Sequence, residues 1–250
     1  MSDIWSACAA QATPVVLDGT VVRLVESQEQ VATNALVTTL AEQALLEELI
    51  EASKPASPHD VRGLHYLLST PFRYPPLPWG SRFGTRFEPS LFYGARSADT
   101  ALAESAYYRF VFWSGMAEPP PAPLDTRHSL FSAEIRTGRG LRLQDAPFAA
   151  FEAELTDRRS YAATQGLGGR MRDAGIEAFE YRSARDPGQG LNVALYSPAA
   201  FANTKPTAVD EWLCETRAER VSFYSRHGGG MREYPIETFL VDGTLPAPPH

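Results

Sequence analysis

Apolar positions along the chain recur with two periods, and the switching between them predicts a mixed α and β protein. Val15-Val16-Leu17 and Val21–Val25 are β-branched runs that flank Asp18-Gly19. Asp-Gly there signals a hairpin, and it equally fits a loop leading into one strand. Arg23 sits inside the second run, where an edge-strand arginine facing solvent is the plainest reading. From Ser27 to Ala52 the pattern becomes helical. Leu36, Leu40, Ala44, Leu45, Leu49 and Ile50 form one stripe, and Glu42, Glu47, Glu48 and Glu51 take the wet side. Pro55 and Pro58 end this scaffold helix. Prolines from Pro71 onward predict an ordered loop across residues 61–78. His65 in that segment reads as a packing residue. Arg73, between Phe72 and Tyr74, fits stacking or anion binding and equally a structural role.

The stretch Gly80–Arg109 organises the rest. A turn carrying Arg82 and Arg86 precedes a short apolar run ending in Tyr93-Gly94. Ser97 or Asp99 then caps a helix reaching about Phe112. Leu102, Ala103, Ala106, Tyr107, Tyr108 and Phe110 make this helix apolar nearly all round, which predicts burial. Glu104 lies in its second turn. A buried carboxylate needs a partner, and Arg82 or Arg86 is the candidate.

The segment Glu118–Pro123 (EPPPAP) reads as an exposed connector within one domain. Strands are expected at 129–136 and 140–143 around a Thr137-Gly138 turn. Helices are expected at 147–155 and 156–174, with Gly175 after the second. Residues 176–183 alternate as a half-buried strand does, and 191–196 form the next one. Arg185–Gly188 is a turn between them. Residues 211–224 read as strands, and Gly228–Gly230 as a turn. Gly166–Gly169 (GLGG) matches no phosphate-loop pattern and reads as a loop or the start of a helix.

Composition narrows the function classes. The 250 residues suit one domain, with helical and proline-rich insertions at about 27–78 and 117–126. A net charge of −7 argues against general nucleic-acid binding but allows a local basic pocket. Two cysteines make no disulfide framework, and no metal-ligand spacing appears. No run approaches the ~20 apolar residues of a membrane span, and the first residues lack a secretory pattern. The expectation is a cytoplasmic protein without metal.

The order of these segments resembles the RES-domain family of bacterial toxin–antitoxin toxins. An arginine on an early strand matches Arg23. Gly80-Ser81-Arg82-Phe83 matches the arginine turn, and Leu91-Phe92-Tyr93 the apolar run. Ala101-Leu102-Ala103-Glu104 matches the glutamate helix. Tyr181-Arg182-Ser183 and Gly190-Leu191-Asn192 match the serine segment and the strand after it. Arg73 is the alternative to Arg23, and Arg86 to Arg82.

The resemblance implies an α+β, ADP-ribosyltransferase-like fold, with two small β-sheets forming a central cleft and helices around it. It implies NAD as the substrate, cleaved at the nicotinamide–ribose bond. Glu104 would steady the developing ribose cation, and Arg82 and Arg23 would hold the pyrophosphate. Tyr93 would stack on nicotinamide or wall its pocket. Ser183 would orient Glu104 or a ribose hydroxyl, and Asn192 would support that strand. The acceptor of ADP-ribose is left open between a protein side chain, water and phosphate. An Xre-like antitoxin is the implied partner. The alternative is a non-catalytic nucleotide-binding or protein-interaction module on the same fold.

Overall fold

The structure, a computed structural model, describes residues 3–27, 37–56, 59–227 and 229–248. The helices are α1 (Ile4–Cys8), α2 (Leu40–Ser53), α3 (Tyr66–Arg73), α4 (Ala98–Ser114), α5 (Glu152–Leu155) and α6 (Ala162–Asp173). The strands are β1 (Val15–Glu26), β2 (Phe92–Ala95), β3 (Leu124–Arg142), β4 (Ala178–Arg182), β5 (Leu191–Leu195), β6 (Ala208–Thr216), β7 (Arg220–Ser225) and β8 (Gly230–Pro235).

The described strands form one sheet in the order β1-β2-β5-β4-β3-β6-β7-β8, and β1 also pairs with β3 along nearly its whole length. The α+β class is as expected. The two expected sheets are halves of a single ladder joined through the long β1/β3 pair. One half curls back on itself, because β1 pairs with both β2 and β3. The other half fans out through β6, β7 and β8.

Three apolar clusters hold this arrangement. Phe92, Phe131, Ile135, Val193 and Leu195 fill the curled half, with Leu67 and Leu68 of α3 against them. Phe83, Phe148, Leu167, Met171, Phe179 and Tyr181 join α6 to the outer face of β4 and β5. Leu102, Tyr107 and Phe110 of α4 pack on Trp212, Val221 and Phe223, with Phe239 beside them. Each fully buried aromatic or leucine side chain contributes about 1.5–3 kcal/mol through water removed from its surface.

Long-range pairing overrides several local signals. Asp18-Gly19 makes no hairpin. It lies within β1, where Gly19 adopts φ +94° opposite Ile135. Thr137-Gly138 likewise lies inside β3 and makes no turn. Helix α3 runs through Pro71 to Arg73, so a helix stands where a loop was expected. A single proline removes one hydrogen bond, and the burial of Leu67 and Leu68 offsets it. The helix expected at 156–174 starts only at Ala162, after a turn in which the Asp157 carboxylate accepts from the Arg159 and Ser160 N–H groups. The 147–155 helix is one 3-10 turn followed by α5.

The long N-terminal helix begins at Leu40, with Thr39 and Glu42 forming a capping box. Leu36 and the rest of 28–36 lie outside the described residues. Leu40, Leu45 and Leu49 are all more than half exposed, so the stripe does not pack on the body among the described residues. Residues 211–224 are strands, as expected. Among the described residues no helix is long and apolar enough to cross a membrane.

Candidate active site

Helix α4 carries the site's acid. Ser97 caps it by accepting the Thr100 N–H at 3.2 Å. Buried residues then surround it on nearly every face, as its composition predicts. This places Glu104 between α4 and the strands β4 and β5. Asn192 Nδ2 donates to Glu104 Oε1 at 2.6 Å, and Ser183 Oγ donates to the same oxygen at 2.6 Å. Ser183 Oγ in turn accepts the N–H groups of Arg185 and Asp186.

The expected arginine partner is therefore corrected. Neither Arg82 nor Arg86 pairs with Glu104; a hydroxyl and an amide do, and both reach Oε1. Hydrogen bonds to a charged group contribute about 1.5–3 kcal/mol each. They fix the carboxylate without neutralising it.

Glu104 opens onto a cavity of about 390 Å³, within the range of small-molecule sites. Arg23, Arg82, Tyr93 and Asn192 line the same cavity. Ser183 stands behind Glu104, 4% exposed and off the cavity wall. Arg23 faces this interior and not bulk solvent. Its Nη1 donates to the Tyr93 carbonyl at 2.6 Å, and its guanidinium lies over the Phe92 ring at 5.3 Å. Burial pushes the Arg23 pKa down to about 10, so it remains a cation at neutral pH.

The two open alternatives separate by position. Arg73 bonds Glu51 and the Pro55 carbonyl, away from the cavity. Arg86 is exposed and lies over its neighbour Phe87.

Arg82 is held from behind. Its Nη1 donates to the carbonyls of Leu155 and Asp157, and its guanidinium lies 4.8 Å from the Tyr161 ring centre. Gln165 of α6 secures the surrounding turn, donating to the carbonyls of Trp79 and Ser81 at 3.0 Å. Gly166–Gly169 is helix interior, not a loop. A Cβ on Gly168 would lie 1.9 Å from the Phe83 carbonyl oxygen, so only glycine lets α6 come this close to the arginine turn. Tyr93 OH shares a hydrogen bond with Ser81 Oγ at 2.8 Å and accepts the Phe83 N–H. Burial first, against those hydrogen bonds, pushes the Tyr93 pKa up to about 12. It is neutral across the physiological range.

Sequence reasoning missed Gln165, Tyr161 and Arg185. Arg185 lines the cavity while 1% exposed, with its guanidinium 3.6 Å from the Tyr107 ring centre. The local sequence around it reads only as a turn.

The RES-domain profile matches residues 57–217, more than half of the chain. The chain belongs to the RES-domain family. Arg82, Tyr93, Glu104, Ser183 and Asn192 lie inside the matched stretch, and Arg23 reaches the cavity from outside it. Past residue 217 the chain runs on into β7, β8 and a tail whose Pro246 carbonyl accepts from Tyr107 OH at 2.6 Å. No curated protein matches the chain.

Proposed function

We propose that this RES domain cleaves NAD at the nicotinamide–ribose bond and passes ADP-ribose to an acceptor, acting as the toxin of a toxin–antitoxin pair. The observation that carries the reading is Glu104: a carboxylate fixed by Ser183 and Asn192 on the wall of a cavity that also presents Arg23, Arg82 and Tyr93.

The chemistry needs these groups. As the glycosidic bond breaks, its electron pair stays with the nicotinamide nitrogen, and the ribose C1′ becomes cationic. A carboxylate held beside that carbon stabilises the charge where it develops, with little reorganisation. Glu104 Oε2, outside the two hydrogen bonds on Oε1, is the oxygen available to the ribose. Planar guanidinium groups suit the diphosphate, because they donate paired N–H groups in a fixed plane. Tyr93, neutral and part of the wall, offers an aromatic face to nicotinamide.

The acceptor is a protein side chain in the mono-ADP-ribosyltransferase form of this reading. Water or phosphate takes its place in the NAD-depleting form. An Xre-like antitoxin that blocks the cavity is the partner the family implies. Incubation with labelled NAD and cell lysate separates the two forms. Labelled protein supports transfer, and free ADP-ribose without labelled protein excludes it. Expression in bacteria should arrest growth with wild type and not with Glu104→Gln.

A further inference from the structure

Arg185 is a buried cation without a counter-charge among the described residues. Its Nη2 donates to the Arg158 carbonyl at 2.9 Å, while its Nη1 has no hydrogen-bond partner among the described residues. The guanidinium is clamped flat on Tyr107, and Tyr107 is itself tied to the Pro246 carbonyl. Among the described residues no carboxylate lies within ion-pair distance of Arg185 or of Arg82. The contrast is Arg96, whose Nε reaches the Glu180 carboxylate at 2.6 Å.

Arg82 and Arg185 are oriented by the same loop. Arg82 donates to the Asp157 carbonyl and Arg185 to the next one along, Arg158. Two guanidinium groups thus share one backbone anchor and line one cavity. A pair of like charges in a buried place, one with an unused donor, is costly unless an anion completes it. Carbonyl anchors leave the remaining N–H groups unneutralised, as an anion site requires.

We propose that Arg185, together with Arg82, forms a phosphate-binding fork in this cavity. The ligand class is a diphosphate. If the dinucleotide reading above holds, on which the natural ligand rests, this is the diphosphate of NAD. Arg185 is then a binding residue that sequence matching does not assign. It is coupled to the acid, because its backbone N–H donates to Ser183 Oγ, the hydroxyl that holds Glu104.

Titration calorimetry on the full chain tests this with inorganic pyrophosphate, ADP-ribose and nicotinamide riboside. Arg185→Met is expected to weaken pyrophosphate and ADP-ribose by about tenfold or more and to leave nicotinamide riboside within about twofold. Arg185→Lys keeps the charge but not the planar fork, so its pyrophosphate affinity should fall between the two. The melting temperature of Arg185→Met should stay at or above that of wild type, because an uncompensated buried charge is gone. Should Arg185→Met fail to fold, Arg185→Lys decides. No pyrophosphate binding by wild type, or equal affinity in wild type and variant, overturns the proposal. Pyrophosphate binding that depends on Arg185 in a protein that neither binds nor cleaves NAD would uphold the anion site and remove the dinucleotide reading.

Discussion

Ser183 Oγ donates to Glu104 Oε1 at 2.6 Å while accepting the backbone N–H groups of Arg185 and Asp186. The two N–H groups occupy its lone pairs, so its proton has one direction to take. Ser183 is therefore a positioning residue for the acid, and Asn192 shares that task from β5. Ser183→Ala and Asn192→Ala should each lower the kcat for NAD cleavage by about tenfold to a hundredfold, the loss of one hydrogen bond to a charged group. KM should change little. Steady-state kinetics check this, and a change confined to KM would assign both residues to substrate binding instead.

Arg23 remains charged until the pH nears about 10. Its folded pKa lies below the usual arginine value, so deprotonation comes earlier than for an exposed arginine but still above the physiological range. Substrate affinity should be flat from about pH 6 to 9 and weaken as the pH approaches 10. Arg23→Lys should weaken NAD binding by about tenfold, since one amine cannot hold both the Tyr93 carbonyl and a ligand oxygen in a plane. A pH titration of affinity compares the two proteins.

The close approach of α6 to the arginine turn gives a sharper stability test. Gly168→Ala places a methyl group on the Phe83 carbonyl. Overpacking of this kind costs about 1–3 kcal/mol or more. Because Arg82 is next to Phe83, activity should fall as well as stability. Gly166→Ala is the control: a Cβ there meets nothing within 4 Å. It should be neutral or slightly stabilising in the helix. Denaturant unfolding of the two variants separates these outcomes.

A buried histidine away from the cavity sets a pH limit on folding. His128 is 3% exposed on β3, edge-on to Phe223, and burial first, then the nearby Arg109, pushes its pKa down to about 4. The unfolded chain takes up a proton near pH 6.5 that the folded chain refuses until about pH 4. Stability from this residue is complete above about pH 6.5 and drains away as the pH falls toward 4. The loss is roughly 3 kcal/mol. Wild type and His128→Asn should differ in the slope of stability across that window, measured by urea unfolding. Parallel slopes would contradict it.

Much of this was legible in the sequence where the determinants are local. The apolar sides of α4, the lone Glu104 among them and the Ser97 cap lie within one run of residues. The long strands were not legible, because Asp18-Gly19 and Thr137-Gly138 are turn-formers until β1 pairs with β3 across more than a hundred residues. Burial and charge alone misread the partner of Glu104 for the same reason, whereas the resemblance pointed to Ser183. Charge favoured an arginine, but β5 brings an amide and the segment after β4 brings a hydroxyl. Arg185 was hidden most deeply, since a ring from α4 and a loop carbonyl define it.

The most direct measurement of the central claim is nicotinamide release from NAD by the purified full chain, with wild type and Glu104→Gln side by side. The substitution keeps size and leaves Ser183 and Asn192 their acceptor oxygen, but removes the charge. Wild type should release nicotinamide, and Glu104→Gln should release at least about a hundredfold less while still binding ADP-ribose. Equal release by the two proteins, or none by wild type with any acceptor supplied, would contradict the account.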